Sequence, residues 1–131
     1  MKVGFVCGAF DLLHAGHISM LEQCKKKCDF LIVGLQIDPS IDRPDKHSPV
    51  EKLLERQIRL RGCKYVDEVI VYQSDKDLLL VLQYLNVDIR FLGSDYRKKK
   101  GEIIEKDLVP ISFTRWMPPT SSSLRERIKK A

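Results

Sequence analysis

Apolar runs of strand length alternate along this chain with segments whose apolar residues recur at helical spacing. The runs are residues 2–7, 30–36, 68–72 and 89–93. Runs that are this short and this apolar predict strands buried on both faces. Residues 108–114 are a fifth predicted strand, and Pro110 within it indicates an edge position, because proline cannot donate to the hydrogen-bond ladder.

Helical patterns lie between these runs. After the first run, apolar side chains at Ile18, Leu21, Cys24 and Cys28 recur near the helical period. This spacing predicts a helix that begins near His17.

The later segments carry turn and capping signals. Residues 37–48 hold two prolines and several charges, which indicates a loop, and Pro49 suits the first turn of a helix running to about Arg61. Ser74 and Asp77 resemble a capping box before a helix over 78–85 that ends near Asn86. A last helix is predicted over residues 124–130.

The alternation of strands and helices predicts an α/β fold. We expect a Rossmann-like three-layer sandwich with a five-stranded, mainly parallel sheet. With 131 residues, the chain is most simply one domain, residues 1–131, and is long enough for a real core. Sheets of this kind bind ligands beyond the carboxyl ends of their strands.

Composition narrows the class of protein. Hydrophobic residues make up 44% and charged residues 31% of the chain, which favours a globular protein. No apolar run approaches the roughly 18 residues that cross a bilayer, and the N-terminus lacks a signal-peptide layout. We therefore expect a cytoplasmic protein with no membrane partner.

The cysteines and the net charge add two expectations. The four cysteines show no CxxC pair, so buried or half-buried free thiols are favoured over a zinc site or a disulfide. The formal net charge is +5, but the basic residues are spread out and no aromatic-interleaved RNA motif appears. We therefore favour a polyanionic small molecule over nucleic acid as the binding partner.

The segment 7–18 carries most of the chemical information. It reads Cys-Gly-Ala-Phe-Asp-Leu-Leu-His-Ala-Gly-His-Ile, which places a glycine-marked turn and two histidines between a predicted strand and a predicted helix. A helix N-terminus attracts phosphate through its unpaired N–H groups and its dipole. His14 and His17 at such a place can both donate to phosphate oxygens, which points to a nucleoside triphosphate.

Three further segments support the interpretation of segment 7–18 as a nucleotide site. Residues 65–69 read Tyr-Val-Asp-Glu-Val, residues 93–96 read Gly-Ser-Asp-Tyr, and residues 120–125 read Thr-Ser-Ser-Ser-Leu-Arg. Together with the His-Ala-Gly-His segment they resemble, in order and over essentially the whole chain, the nucleotidyltransferases with an HxGH motif. The glycerol-3-phosphate cytidylyltransferases are the most similar group, and the heptose-phosphate adenylyltransferases are the second candidate.

The resemblance implies a role for each matching residue. The catalytic set would be His14, His17 and Lys46. The nucleotide would be bound by Gly8, Ala9, Phe10, Asp11, Gly16, Asp95, Arg115, Thr120 and Ser121. Mg²⁺ would enter with the triphosphate, and a homodimer is common in the family. The acceptor pocket is expected among the second-loop and second-helix cations Arg43, Arg56 and Lys64.

Several of these residues also have plainer interpretations. Lys46 is nearly as well explained as a solvated loop residue, and Arg43 is a comparable loop cation. Thr120 is equally well explained as a structural helix cap, and Asp95 as a turn residue. These alternatives stay open at the level of sequence.

The sequence is compatible with three functions. The first is transfer from CTP to a small phosphorylated alcohol such as glycerol 3-phosphate, with release of pyrophosphate. The second is the same chemistry with ATP and a sugar phosphate. The choice of base is open because residues 116–119, Trp-Met-Pro-Pro, replace the small, glycine-containing stretch usual in the family. The third is a nucleotide-binding module without catalysis.

Overall fold

A five-stranded parallel sheet forms the centre of the molecule. The computed structural model describes residues 1–93, 111–114 and 128–129. The strands are β1 (Val3–Gly8), β2 (Phe30–Gln36), β3 (Glu68–Tyr72), β4 (Ile89–Gly93) and β5 (Ile111–Thr114). Their order is β3-β2-β1-β4-β5, and every neighbouring pair is parallel. The predicted α/β class is confirmed, and β5 lies at an edge as Pro110 indicated.

Within the described residues, four helices lie between β1 and β4. They are α1 (Ala15–Lys26), α2 (Pro39–Asp42), α3 (Leu53–Arg61) and α4 (Asp75–Leu85). The capping prediction for α4 is confirmed: Ser74 is the N-cap, its side chain accepts from the Asp77 N–H, and Asn86 ends the helix in the left-handed conformation. Residues 128–129 are helical. The rest of the predicted last helix and residues 108–110 lie outside the described residues.

Two hydrophobic clusters lie on opposite faces of the sheet. Successive side chains of β2 face opposite sides of the sheet: Leu31 and Val33 lie in one cluster, and Ile32 lies in the other. The first cluster is completed by α1 and α3, through side chains such as Met20 and Leu60. The second is completed by α4, through Leu78 and Leu82. The molecule is therefore the expected three-layer sandwich.

The strand order creates a switch point beside β1. The chain runs from β1 outward to β2 and β3, then returns to place β4 on the other side of β1. At such a reversal the connections leave the sheet in opposite directions and open a crevice beyond the carboxyl ends of the strands. The segment that follows β1 at this crevice, residues 9–14, leads into α1.

The predicted helix boundaries are corrected at four places. The helix predicted over 78–85 begins at Asp75, directly after its N-cap Ser74. The first helix begins at Ala15 rather than near His17, because His14 serves as its N-cap. The predicted loop over 37–48 contains the short helix α2, which Asp38 caps. The helix predicted from Pro49 begins only at Leu53, because the backbone just after Pro49 is bonded to the loop after β1, as described below.

The cysteines are buried or half-buried and free, as expected. Burial raises the pKa of the Cys24 thiol to about 12, so this side chain is a packing residue. Within the described part of the chain, no helix is long and apolar enough to cross a membrane.

Candidate active site

The two motif histidines lie together at the start of α1. Their rings are stacked, with centroids 3.9 Å apart and planes inclined by 24°. Phe10 packs against the His17 ring at 5.5 Å between centroids. Both histidines stand at the crevice where the strand order reverses, which is the part of this fold that binds ligands.

Backbone N–H groups fix the orientation of both imidazoles. The Nδ1 atom of His14 accepts from the Gly16 N–H at 3.0 Å, and the Nδ1 atom of His17 accepts from the His14 N–H at 3.3 Å. A neutral imidazole that accepts at Nδ1 carries its proton at Nε2. Each ring is therefore set as an Nε2 donor, the form suited to a phosphate oxygen.

Burial keeps these rings neutral. The pKa of His17 is lowered from 6.5 to about 4, chiefly by burial and then by repulsion from His14, against a smaller opposing effect of Asp11. Burial also lowers the pKa of His14. At pH 7 the pair consists of two neutral donors beside the positive end of the α1 dipole.

The loop between β1 and α1 is held by its neighbour in space, residues 50–51. Asp11 accepts from the N–H groups of Val50 and Glu51 at 2.8 and 2.9 Å. Phe10 and Leu12 on either side of it have φ values of 48° and 51°, a conformation that L residues rarely adopt. Asp11 thus orders the loop, and its contact with nucleotide stays a prediction.

Arg56 is a structural residue at the carboxyl ends of β1 and β2. It is only 2% exposed. Its guanidinium donates to the carbonyl oxygens of Ala9, Gln36, Ile37 and Glu51 at 2.6–3.2 Å. These contacts replace the acceptor-binding role that we expected, because most of its donors are already used by the backbone.

Lys64 lies at the wrong edge of the sheet for the acceptor pocket. It precedes β3, and its ammonium sits 5.1 Å from the centroid of the Tyr65 ring. At the same amino edge, Asp67 lies 2.5 Å from Lys25 near the C-terminus of α1. α1 has 12 residues and is about 18 Å long, and it separates this edge from His14. We therefore no longer place Lys64 in the predicted acceptor pocket.

The two loop cations differ in their surroundings. Arg43 ends α2 and its guanidinium lies 3.8 Å from the Asp75 carboxylate at the start of α4. Lys46 is exposed, and its backbone N–H donates to the Arg43 carbonyl oxygen. The catalytic role of Lys46 stays a prediction.

The remaining predicted residues divide into two groups. Gly8 ends β1 beside the Phe10 ring, and Gly16 is buried in the first turn of α1 between the two histidines. The positions outside the described residues are Asp95, Arg115, Thr120 and Ser121. Among the residues that the structure describes, no group of three or more metal-ligating side chains exists.

Glu51, which pairs with Arg59, was not among the predicted site residues. The Glu51 side chain is 6% exposed and its carboxylate lies 2.6 Å from the Arg59 guanidinium. A helix predicted from Pro49 would have left this carboxylate in a first turn facing water. Only the three-dimensional path of residues 49–52 makes it a buried group, so no local signal identified it.

Comparison with known proteins supports the fold and the motif together. The family model described as cytidylyltransferase-like matches residues 5–126. The bifunctional protein HldE of Campylobacter curvus is 37% identical over 133 residues, covering 99% of this chain and 28% of that protein. HldE of Caulobacter vibrioides is 41% identical over 97 residues, covering 73% of this chain and 20% of that protein. The chain thus spans less than a third of the length of these relatives.

Solved structures show the same architecture. A lipopolysaccharide core biosynthesis protein from Thermoplasma volcanium has a TM-score of 0.70 and 26% identity, covering 92% of this chain and 99% of that one. Pantothenate synthetase from Thermus thermophilus has a TM-score of 0.69 at 16% identity, covering 100% of this chain and 65% of that one, which shows the fold alone. By the family match over most of its length, the chain belongs to the cytidylyltransferase-like family of nucleotidyltransferases.

Proposed function

We propose that this chain transfers a nucleotidyl group from a nucleoside triphosphate to a phosphate monoester and releases pyrophosphate. The observation that carries the proposal is the stacked His14–His17 pair, set as two Nε2 donors at the start of α1. This pair lies where a doubly wound sheet binds its ligand.

The reaction needs charge stabilisation more than a strong base. An oxygen of the acceptor phosphate forms a bond to the α-phosphorus, while the bond from that phosphorus to the bridging oxygen breaks and pyrophosphate leaves. The acceptor is already an anion at pH 7, since its second pKa is near ~6. His14 and His17 would donate to phosphate oxygens, and the helix dipole would offset the charge that gathers on the leaving group.

Other residues complete the proposal by family resemblance. Lys46 would bridge the acceptor and the α-phosphate, with Arg43 as the competing loop cation. Arg115, Thr120, Ser121 and Asp95 would hold the phosphates and the nucleoside. Mg²⁺ would neutralise part of the triphosphate charge. The homodimer also rests on resemblance, and sedimentation equilibrium tests it.

Two substrate pairs are proposed. The motif pattern favours CTP with a small phosphorylated alcohol such as glycerol 3-phosphate. The Thermoplasma protein, described as a lipopolysaccharide core biosynthesis protein, supports a sugar phosphate as acceptor, which belongs to the second pair, ATP with a sugar phosphate.

Pyrophosphate release tests both pairs. Purified protein is incubated with Mg²⁺ and each combination of CTP or ATP with glycerol 3-phosphate or a panel of sugar phosphates. We expect release with one nucleotide and one acceptor class, dependent on both. Nucleotide-induced thermal stabilisation without turnover on any acceptor would contradict catalysis and favour a binding module.

A further inference from the structure

Glu51 is a buried carboxylate to which no role is assigned by the proposed chemistry. It lies just before α3, and both of its oxygens have partners. One accepts from the Leu12 N–H at 2.7 Å, and the other lies 2.6 Å from the Arg59 Nε atom. Burying a carboxylate costs free energy unless its oxygens have such partners. The two partners therefore fix the position of the Glu51 carboxylate.

The bond to Leu12 is made at a strained part of the loop. Leu12 has a φ of 51°, and left-handed backbone is unfavourable for a residue with a Cβ atom because Cβ crowds the following carbonyl. Such a conformation persists only where surrounding contacts determine it. The Glu51 carboxylate supplies one such contact from outside the loop.

Glu51 is joined to this loop from its main chain as well. Its N–H donates to Asp11, and its carbonyl accepts from Arg56, which in turn donates to the Ala9 carbonyl. The loop of residues 9–12 is thus tied to Glu51 along its length. Two residues beyond Leu12, His14 caps α1 and stacks on His17.

We propose that Glu51 is a positioning residue whose carboxylate holds Leu12 in its left-handed conformation and so sets the place of His14 and His17. Its effect on turnover rests on the proposed function, whereas its effect on the histidine pair does not. Glu51 acts by geometry: the charged groups that act on the His17 pKa, after burial, are His14 and Asp11.

Three substitutions separate geometry from charge. Glu51→Ala removes the acceptor for the Leu12 N–H, and we expect kcat to fall about 10- to 100-fold, the scale of a small misplacement, with KM for the nucleotide within about threefold. Glu51→Gln keeps an acceptor oxygen at the same reach, so kcat should stay within about threefold. Glu51→Asp keeps the charge but is one methylene shorter, so kcat should fall as in Glu51→Ala.

A matched control lies on the same segment. Glu55 is exposed, and its carboxylate accepts from the Lys52 N–H at 2.9 Å, so Glu55→Ala removes a helix-capping carboxylate without touching the loop. We expect its kcat to match that of the unsubstituted protein.

A second measurement does not depend on turnover. NMR titration without substrate should give a His17 pKa of about 4 in the unsubstituted protein. The value should rise toward 6.5 in Glu51→Ala and Glu51→Asp, because the ring gains water, and stay low in Glu51→Gln. If the unsubstituted protein turns over no acceptor, the proposed function fails while this titration still decides the role of Glu51.

A folded Glu51→Ala protein with unchanged kcat and an unchanged His17 titration would overturn the proposal. Where Glu51→Ala does not fold, the other two variants decide. Full kcat and a low His17 pKa in Glu51→Asp, with loss of both in Glu51→Gln, would show that the charge rather than the bond to Leu12 matters, and would also overturn it.

Discussion

His14 and His17 are neutral donors whose direction is set by the backbone. Each ring accepts a main-chain N–H at Nδ1, which leaves Nε2 as the protonated atom. Lysine or arginine would bind phosphate more strongly in the ground state. The hydrogen bond from a neutral donor strengthens as negative charge builds up on the phosphate oxygen, and an interaction that is stronger in the transition state accelerates the reaction.

His17→Ala should reduce kcat by about 10²- to 10³-fold, the scale observed when one donor to a developing negative charge is removed. The fold should persist, because the α1 cap made by the His14 side chain remains. Steady-state pyrophosphate release with circular dichroism checks both points. Substitution of the exposed His47 by alanine is the control, and a near-normal rate in His17→Ala would refute the assignment.

The depressed pKa of His17 predicts a pH dependence of stability. Between pH 6.5 and about 4 the unfolded chain binds this proton and the folded chain does not, so the free energy of unfolding falls as pH falls through that window. One pKa unit corresponds to about 1.4 kcal/mol, which gives about 3 kcal/mol in all. Urea unfolding at several pH values should show this fall reduced in His17→Gln, and equal slopes in the two proteins would contradict it.

The motif residues could be predicted from the sequence, but the residues that hold them in place could not. His14, Gly16 and His17 stand next to one another in sequence, so their chemistry is visible before the chain folds. The supports Glu51 and Arg56 are about 35 to 45 residues further along, and their burial depends on how the segment before α3 crosses the loop after β1. Sequence gives the charge of such a residue but not its surroundings.

At the scale of elements, the best predictions fall where packing and local pattern agree. β2 and β3 have the predicted bounds, because each is a continuous apolar run in a sheet covered on both faces. α3 begins four residues later than Pro49, because the Val50 and Glu51 N–H groups are used by Asp11. A tertiary contact there replaces the local helix-start signal.

Arg56 joins three elements, so its loss should destabilise the whole molecule. Arg56→Lys places a single ammonium where a planar guanidinium reaches four carbonyl oxygens at the ends of β1 and β2 and before α3. Each buried carbonyl left without a donor costs about 1–3 kcal/mol, so we expect a loss of about 2–3 kcal/mol in urea unfolding. The control is Arg61→Lys at an exposed position of the same helix, and equal stability of the two variants would contradict the structural role.

At the scale of the molecule, strand direction decides which residues can share a site. Carboxyl ends of parallel strands meet at one edge, so groups that follow strands can converge there and groups that precede them cannot. Lys64 precedes β3, and this fact alone would have excluded it from the predicted pocket. The strand order, by contrast, was not readable from the sequence, because apolar runs do not say which strands become neighbours.

Lys64→Ala should therefore leave kcat and KM for both substrates within about twofold. Its ammonium lies over Tyr65 at the amino edge, and a charge this far from the crevice is largely screened at physiological salt. Steady-state kinetics beside Lys46→Ala, which should lower kcat, checks the prediction. A large rise in KM for the acceptor in Lys64→Ala would return this residue to the site.

The most direct test of nucleotidyl transfer follows the α-phosphate. The protein is supplied with CTP or ATP labelled at the α-phosphorus, Mg²⁺ and a phosphate monoester, and the products are separated by chromatography. We expect the label to move to a new diphosphate-linked product with an equal amount of unlabelled pyrophosphate, and we expect His17→Ala to lose this transfer. Label retained in free nucleotide, with or without hydrolysis, or equal transfer by His17→Ala, would contradict it.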